Sequence, residues 1–185
     1  MLDFDTKIWY YICMNQLLLF APLTILIAAI PAAIYALLHA FAEKSLPHVS
    51  RTALVAAFSA YIFFVLSATL LFRNTAFFSI ELNPIASYRR AVNAPAHLAV
   101  IEIRNIILNI AMFVPLGIFL PLLTKKIQKT YLVLAVAFFA STAIEITQIA
   151  TRRGVFSIED ILHNTLGAAF GFGLYSALMK IFKKS

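Results

Sequence analysis

Charge is scarce in this chain: 12% of its 185 residues are charged, whereas 62% are hydrophobic. Soluble domains carry about a quarter charged residues, so this composition and a mean hydropathy of +0.90 exclude an ordinary soluble domain. Each helical crossing of a bilayer needs about 20 apolar residues, which leaves room for five or six spans. The sequence therefore predicts an all-α, polytopic membrane protein that forms a single domain over residues 1–185.

Cysteine is almost absent, since Cys13 is the single one. This excludes an internal disulfide framework and any zinc site built on several thiolates. His97 and His163 have no second histidine at ligand spacing, so we expect them to be interface residues. No metal or other cofactor is predicted.

A basic signal region is also missing from the start of the chain, where Asp3 and Asp5 stand instead. We therefore expect the first apolar run to be retained as a span. The net charge of +7 could indicate nucleic acid, but seventeen Phe and few polar segments favour an anionic membrane surface. Nucleic acid is not expected as a partner.

Long apolar runs predict five spans, and the basic residues between them favour an external N-terminus and a cytoplasmic C-terminus. Eight basic residues then face the cytoplasm and six face outside. Turn signals at Asn83-Pro84 and Ala94-Pro95 interrupt the segment between the second and third spans, which we expect to lie flat in the interface. The predicted spans are residues 17–42, 52–72, 98–123, 131–150 and 161–182.

Polar residues interrupt the last three spans, and the predicted topology brings all of them to the outer leaflet. Within each helix, and with the exception of Arg104, their spacing of three, four or seven residues places them on one stripe. Such side chains face the interior of a bundle or a water-filled cavity, so we expect the stripes to face one another beside Arg152 and Arg153. Arginines among carboxylates and amides suit the recognition of phosphate or carboxylate. The polar residues are Glu102, Arg104, Asn105, Asn109, Glu145, Gln148, Asp160 and Asn164.

Structural roles compete with these assignments. Ser157 and Asp160 have the spacing of a helix cap, and Asp160 is as good a cap as a catalytic acid. The sole role of the asparagines could be to hold helices together by hydrogen bonds. Gly167 and Gly171 favour helix packing over shaping a cleft, and Pro115 followed by Gly117 predicts a kink.

Four blocks in order, "ELNPI", "NIILNIAMFVPLGIFLPLL", "EITQ" and "EDILHNTLGAAFGF", resemble the VanZ-like family over residues 80–175. The resemblance implies a multi-pass protein of the bacterial cytoplasmic membrane, linked to the cell envelope and to glycopeptide (teicoplanin) resistance. By position it marks Asn83, Pro84, Asn105, Asn109, Pro115, Gly117, Glu145, Gln148, one of Arg152 or Arg153, Asp160, Asn164 and Gly167.

Three classes of function remain open at this stage. The leading hypothesis is an outward-facing cleft that binds an anionic membrane lipid, a lipid-linked cell-wall precursor or a glycopeptide antibiotic. The alternative is a hydrolase or transferase acting on such a lipid, with Glu145 or Asp160 as general base and Arg104 or Arg152 stabilising charge. The third is a scaffold or small transporter, although the chain shows no internal repeat.

Overall fold

A computed structural model describes residues 48–71, 78–152 and 154–183 of the chain. The first predicted span, residues 17–42, and the predicted ligand residue Arg153 lie outside the described residues. Helices and strands are numbered in chain order within these ranges.

The described residues are mostly helical. Helix α1 ends in a π-helical turn, Ser67–Leu71, and helix α3 begins directly after Pro95, a residue that has no N–H to leave unsatisfied. The helices are α1 His48–Leu66, α2 Ala86–Asn93, α3 Ala96–Leu123, α4 Thr130–Thr151 and α5 Ile158–Lys183, and the strands are β1 Phe78–Glu81 and β2 Gly154–Ser157.

Three of these helical stretches are long and apolar enough to cross a membrane: Arg51–Leu70, Ala96–Leu123 and Thr130–Thr151. They agree with the second, third and fourth predicted spans. The fifth predicted span forms a helix of 26 residues, α5, which is not among the three. Five spans with an external N-terminus stay a prediction.

A short parallel sheet corrects the expectation of an all-α fold. Strand β1 pairs in parallel with β2, and the register joins Phe78 to Gly154 and Glu81 to Ser157. Both strands lie between predicted spans, and each has only four residues. The segment between the second and third predicted spans thus forms a strand and the short helix α2, where a single flat stretch was expected.

Helices α3 and α5 cross at backbone contact, and three glycines allow it. A Cβ at Gly167 would collide with the carbonyl of Ile110, and one at Gly171 would collide with the carbonyl of Val114. A Cβ at Gly117 would lie 2.7 Å from the backbone nitrogen of Phe172. The expectation that Gly167 and Gly171 serve helix packing agrees with these contacts.

Aromatic residues fix α1 against α3. The Tyr61 hydroxyl donates to the carbonyl of Met112 at 2.9 Å, one turn before the buried Pro115. The rings of Phe58, Tyr61 and Phe119 lie within about 6 Å of one another. Together with the α3–α5 crossing, these contacts build one apolar core below the polar ends of the helices.

Candidate functional site

The start of α5 is capped from two sides. Its preceding residue, Ser157, accepts the backbone N–H of Asp160 on Oγ at 3.2 Å, as the cap spacing predicted. The backbone N–H of Ser157 in turn donates to Oε2 of Glu145 at 2.9 Å. A carboxylate at the N-terminus of a helix is stabilised by the helix dipole. Glu145, only 2% exposed, therefore holds the start of α5 against α4.

Helix α3 joins the same group through Asn109, whose Nδ2 donates to Oδ1 of Asp160 at 2.7 Å. A continuous series of hydrogen bonds thus runs from Asn109 through Asp160 and Ser157 to Glu145. It crosses three helices that sequence spacing had predicted to face one another. We call these four residues the polar chain.

Two further amides extend the polar layer around this chain. Asn164, 3% exposed, donates to Oγ of the fully buried Ser141 at 2.8 Å and so ties α5 to α4. Gln148 donates to the carbonyl of Thr69 at 3.0 Å. That carbonyl lies in the π-helical turn at the end of α1, a type of irregularity often found at functional sites.

Glu102 does not join the polar chain. It accepts a hydrogen bond from Nε of Arg90 at 2.9 Å, and Arg90 also lies 3.5 Å from Glu81. This hydrogen bond to the Glu102 carboxylate raises the pKa of Arg90, despite partial desolvation, and nearby carboxylates add to the effect. The predicted stripe on α3 therefore divides, with Asn109 turned to α5 and Glu102 turned to α2.

Three of the predicted ligand residues, Asn105, Arg152 and Arg104, differ in exposure and in hydrogen bonding. Asn105 is exposed and stands apart from these hydrogen bonds. Arg152 is exposed and ends α4 in the left-handed region at φ 52°, with its backbone N–H bonded to Gln148 and Ile149. Arg104 is half-buried, and among the described residues its Nε has no hydrogen-bond partner.

Asn83 and Pro84, both marked by the family resemblance, shape the entry to α2. The side-chain oxygen of Asn83 accepts the backbone N–H of Ile85 at 3.1 Å, and its carbonyl accepts that of Ala86 at 3.3 Å. Such a turn is the usual role of asparagine at this kind of position.

Sequence reasoning missed the contacts between α2 and α5. The backbone N–H of Ser87 donates to Oε2 of Glu159 at 2.9 Å, and the Tyr88 hydroxyl lies 2.8 Å from Nε2 of His163. The four-residue spacing of Glu159 and His163 could have indicated a shared face. Nothing in the sequence pointed to Tyr88.

An apolar groove of about 290 Å³ lies between α1, α3 and α4. One end reaches Leu70 and Thr147, which are neighbours in sequence of the hydrogen-bonded pair Thr69 and Gln148. The groove therefore runs from the apolar core to the edge of the polar layer. Its lining consists of Tyr61, Ile62, Val65, Leu66, Leu70, Phe113, Leu116, Ala140, Ala143, Ile144 and Thr147.

Comparison with known proteins finds one family. The family model described as VanZ/LLP1 matches residues 52–180. No curated protein and no solved structure matches the chain. The matched range contains the polar chain, the α3–α5 crossing and the contacts between α2 and α5.

Proposed function

Because the chain belongs to the VanZ/LLP1 family, we propose that it is an envelope membrane protein whose polar layer binds the head group of an anionic amphiphile. The ligands of this class are an anionic lipid, a lipid-linked cell-wall precursor and a lipoglycopeptide such as teicoplanin. Binding of the last two would connect the protein to glycopeptide resistance.

The observation that carries the proposal is the half-buried Arg104, whose Nε has no partner within the described part of the chain. Leaving a charged donor without an acceptor costs more free energy than leaving a neutral one. A phosphate or carboxylate oxygen would satisfy it with a charge-assisted hydrogen bond. By contrast, Arg90 is already paired with Glu102 and Glu81, so it offers less to a ligand.

The polar chain supports the proposal by fixing α3, the helix that contains Arg104, against α4 and α5. Asn109, Asp160, Ser157 and Glu145 bond to one another across three helices. In this arrangement Glu145 and Asp160 hold helices in place, which favours a rigid binding site over their use as general bases.

The apolar groove supports an amphiphilic ligand over a free anion. Its lining is hydrophobic, and it ends beside Thr69 and Gln148 at the polar layer. A hydrocarbon chain there would gain about 0.8 kcal/mol for each methylene removed from water. We propose that its charged head group extends from the groove to Arg104.

Native mass spectrometry of the full chain in nanodiscs tests the proposal. With equal amounts of phosphatidylglycerol and phosphatidylcholine, we expect retained phosphatidylglycerol to predominate. Arg104→Gln should reduce its retention about tenfold, the loss of roughly one charge-assisted hydrogen bond. The matched control is Arg51→Gln, which removes an exposed arginine from the opposite end of α1.

Equal retention by the Arg104 and Arg51 variants would contradict the proposed site. The link to resistance has a separate measurement, the teicoplanin susceptibility of bacteria that express each variant at matched membrane abundance. We expect protection by the wild type and by Arg51→Gln, and its loss in Arg104→Gln.

A further inference from the structure

The α2 face of α5 contains a second polar group, distinct from the polar chain. It consists of Glu159 and His163 on α5 and of Ser87 and Tyr88 on α2. Glu159 is 1% exposed and His163 is 5% exposed, whereas Tyr88 is 45% exposed. The hydroxyl of a partly exposed tyrosine is thus hydrogen-bonded to a buried imidazole.

Each of the two buried side chains retains one unused atom. Oε1 of Glu159 and Nδ1 of His163 are buried, and neither has a hydrogen-bond partner in the described ranges. Residues four apart on a helix have Cβ atoms about 5–6 Å from each other. The two side chains therefore lie on the same face of α5, and both unused atoms are buried there.

These two atoms are chemically complementary in one tautomer of His163. If Nδ1 carries the proton, it is a donor, and the Glu159 carboxylate is an acceptor. Nε2 then has a free lone pair and accepts the hydrogen bond of the Tyr88 hydroxyl, 2.8 Å away. The same order of hydroxyl, imidazole and carboxylate activates nucleophiles in unrelated hydrolases.

We propose that Tyr88, His163 and Glu159 form a proton relay that makes the Tyr88 hydroxyl a nucleophile toward an ester or phosphoester of a membrane lipid. In the first step Oη of Tyr88 bonds to the carbonyl carbon or phosphorus. The ester C–O or P–O bond to the leaving alcohol breaks, and the Tyr88 proton passes to Nε2 of His163. The leaving alcohol takes that proton, and water then hydrolyses the tyrosine ester and restores the hydroxyl.

The roles within the relay differ. Tyr88 is the catalytic residue because it contacts the reacting centre. His163 accepts and returns the proton, and Glu159 is a positioning residue that acts through His163. This inference goes beyond the proposed function, since a lipid could bind near Arg104 without any bond being broken.

Covalent labelling of the full chain with an arylsulfonyl fluoride tests the relay without knowledge of the natural lipid. Tyr88 Oη would bond to sulfur, fluoride would leave, and His163 would accept the hydroxyl proton. Peptide mass spectrometry then gives the labelling rate at each tyrosine. We expect Tyr88 to react at least about tenfold faster than Tyr131, a modest effect for general base assistance.

Tyr131 is a demanding internal control. It is 61% exposed, more than Tyr88, and Lys129 Nζ lies 5.9 Å from its ring centroid. Simple exposure or a nearby positive charge would therefore favour Tyr131. Because both tyrosines are measured in the same wild-type sample, the comparison does not depend on whether a variant folds.

Variants then separate the relay from general accessibility. His163→Gln should lower the rate at Tyr88 to that of Tyr131 while the rate at Tyr131 is unchanged. Glu159→Gln should give an intermediate rate, because the amide keeps an acceptor but loses the charge. Labelling of Tyr88 no faster than Tyr131 in the wild type, or unaltered by His163→Gln, would overturn the relay and leave the lipid-binding proposal intact.

Discussion

The first turns of α5 have two faces that are built differently. On the bundle face, Asp160 and Asn164 bond to the long helices α3 and α4. On the α2 face, Glu159 and His163 bond to a helix of eight residues. One face is thus fixed by the core of the protein, whereas the other depends on a short helix with exposed side chains. The bundle face is thus the part of α5 on which stability should depend most, whereas the α2 face contains the proposed proton relay.

The largest expected effect concerns the close crossing of α3 and α5, which holds the bundle face of α5 in place. A Cβ at Gly171 would collide with the carbonyl of Val114 and lie 3.1 Å from Cα of Gly117. Backbone atoms cannot yield as a flexible side chain can, so Gly171→Ala should lower the free energy of unfolding by about 3 kcal/mol. Chemical denaturation in micelles measures it.

Gly173 provides the matched control for that substitution. Among the described residues, and apart from the adjacent backbone of α5 itself, no heavy atom lies within 4 Å of a Cβ built there. Gly173→Ala should therefore raise stability by up to about 1 kcal/mol through helix propensity. Similar effects of the two alanines would show that the bundle face does not depend on the close crossing.

The next effect concerns Glu145, which caps α5 from α4. Glu145→Ala leaves the backbone N–H of Ser157 without its carboxylate and should cost about 2–3 kcal/mol. Glu145→Gln keeps an oxygen acceptor and should cost less than half as much. The same denaturation measurement compares them, and equal losses would mean that the charge, and not the hydrogen bond, is what matters.

A smaller effect is expected where α3 meets α5. Asn109→Ala and Asp160→Ala, alone and combined, form a double-mutant cycle for the 2.7 Å hydrogen bond between them. Hydrogen bonds in membrane proteins give coupling energies averaging about 0.6 kcal/mol, and the carboxylate should raise this to about 1 kcal/mol. If the two losses of stability were purely additive, the hydrogen bond from Asn109 would contribute nothing to the bundle face.

The smallest effect should come from the ion pairs that hold α2. Arg90 is half-exposed, so Arg90→Gln should cost under about 1 kcal/mol, and 0.5 M salt should reduce the loss further. Glu102 raises the pKa of Arg90, so the contribution is fully present below the ordinary pKa of a guanidinium and is lost only as pH rises through the higher folded pKa. A large loss of unfolding free energy in Arg90→Gln at neutral pH would contradict the contrast between the two faces.

Sequence reasoning located the helices and much of the polar layer. Predicted spans 98–123 and 131–150 agree with Ala96–Leu123 and Thr130–Thr151 to within two residues. Long apolar runs are an unambiguous signal, and helical phase identifies residues on the same stripe. The structure therefore brings Asn109, Asp160 and Glu145 into one connected chain as their spacing indicated.

The features that sequence reasoning missed all depend on partners distant in the chain. Four-residue strands are too short for an alternating pattern, and β1 pairs with a strand 76 positions further on. Glu102 could not be assigned to Arg90 before α2 was known to lie beside α3. The hydrogen bond between Tyr88 and His163 likewise joins α2 to α5, and the sequence did not show that these two helices lie side by side.

The parallel pairing of β1 with β2 constrains how the chain crosses the bilayer. Two hydrogen-bonded strands must lie on the same side, so the stretch between Glu81 and Gly154 crosses an even number of times. Reporter tags inserted after Leu82 and after Arg152 must therefore give the same sidedness, whichever compartment that is. The two strands also cannot pair until β2 has been synthesised, so their pairing is a late step of insertion.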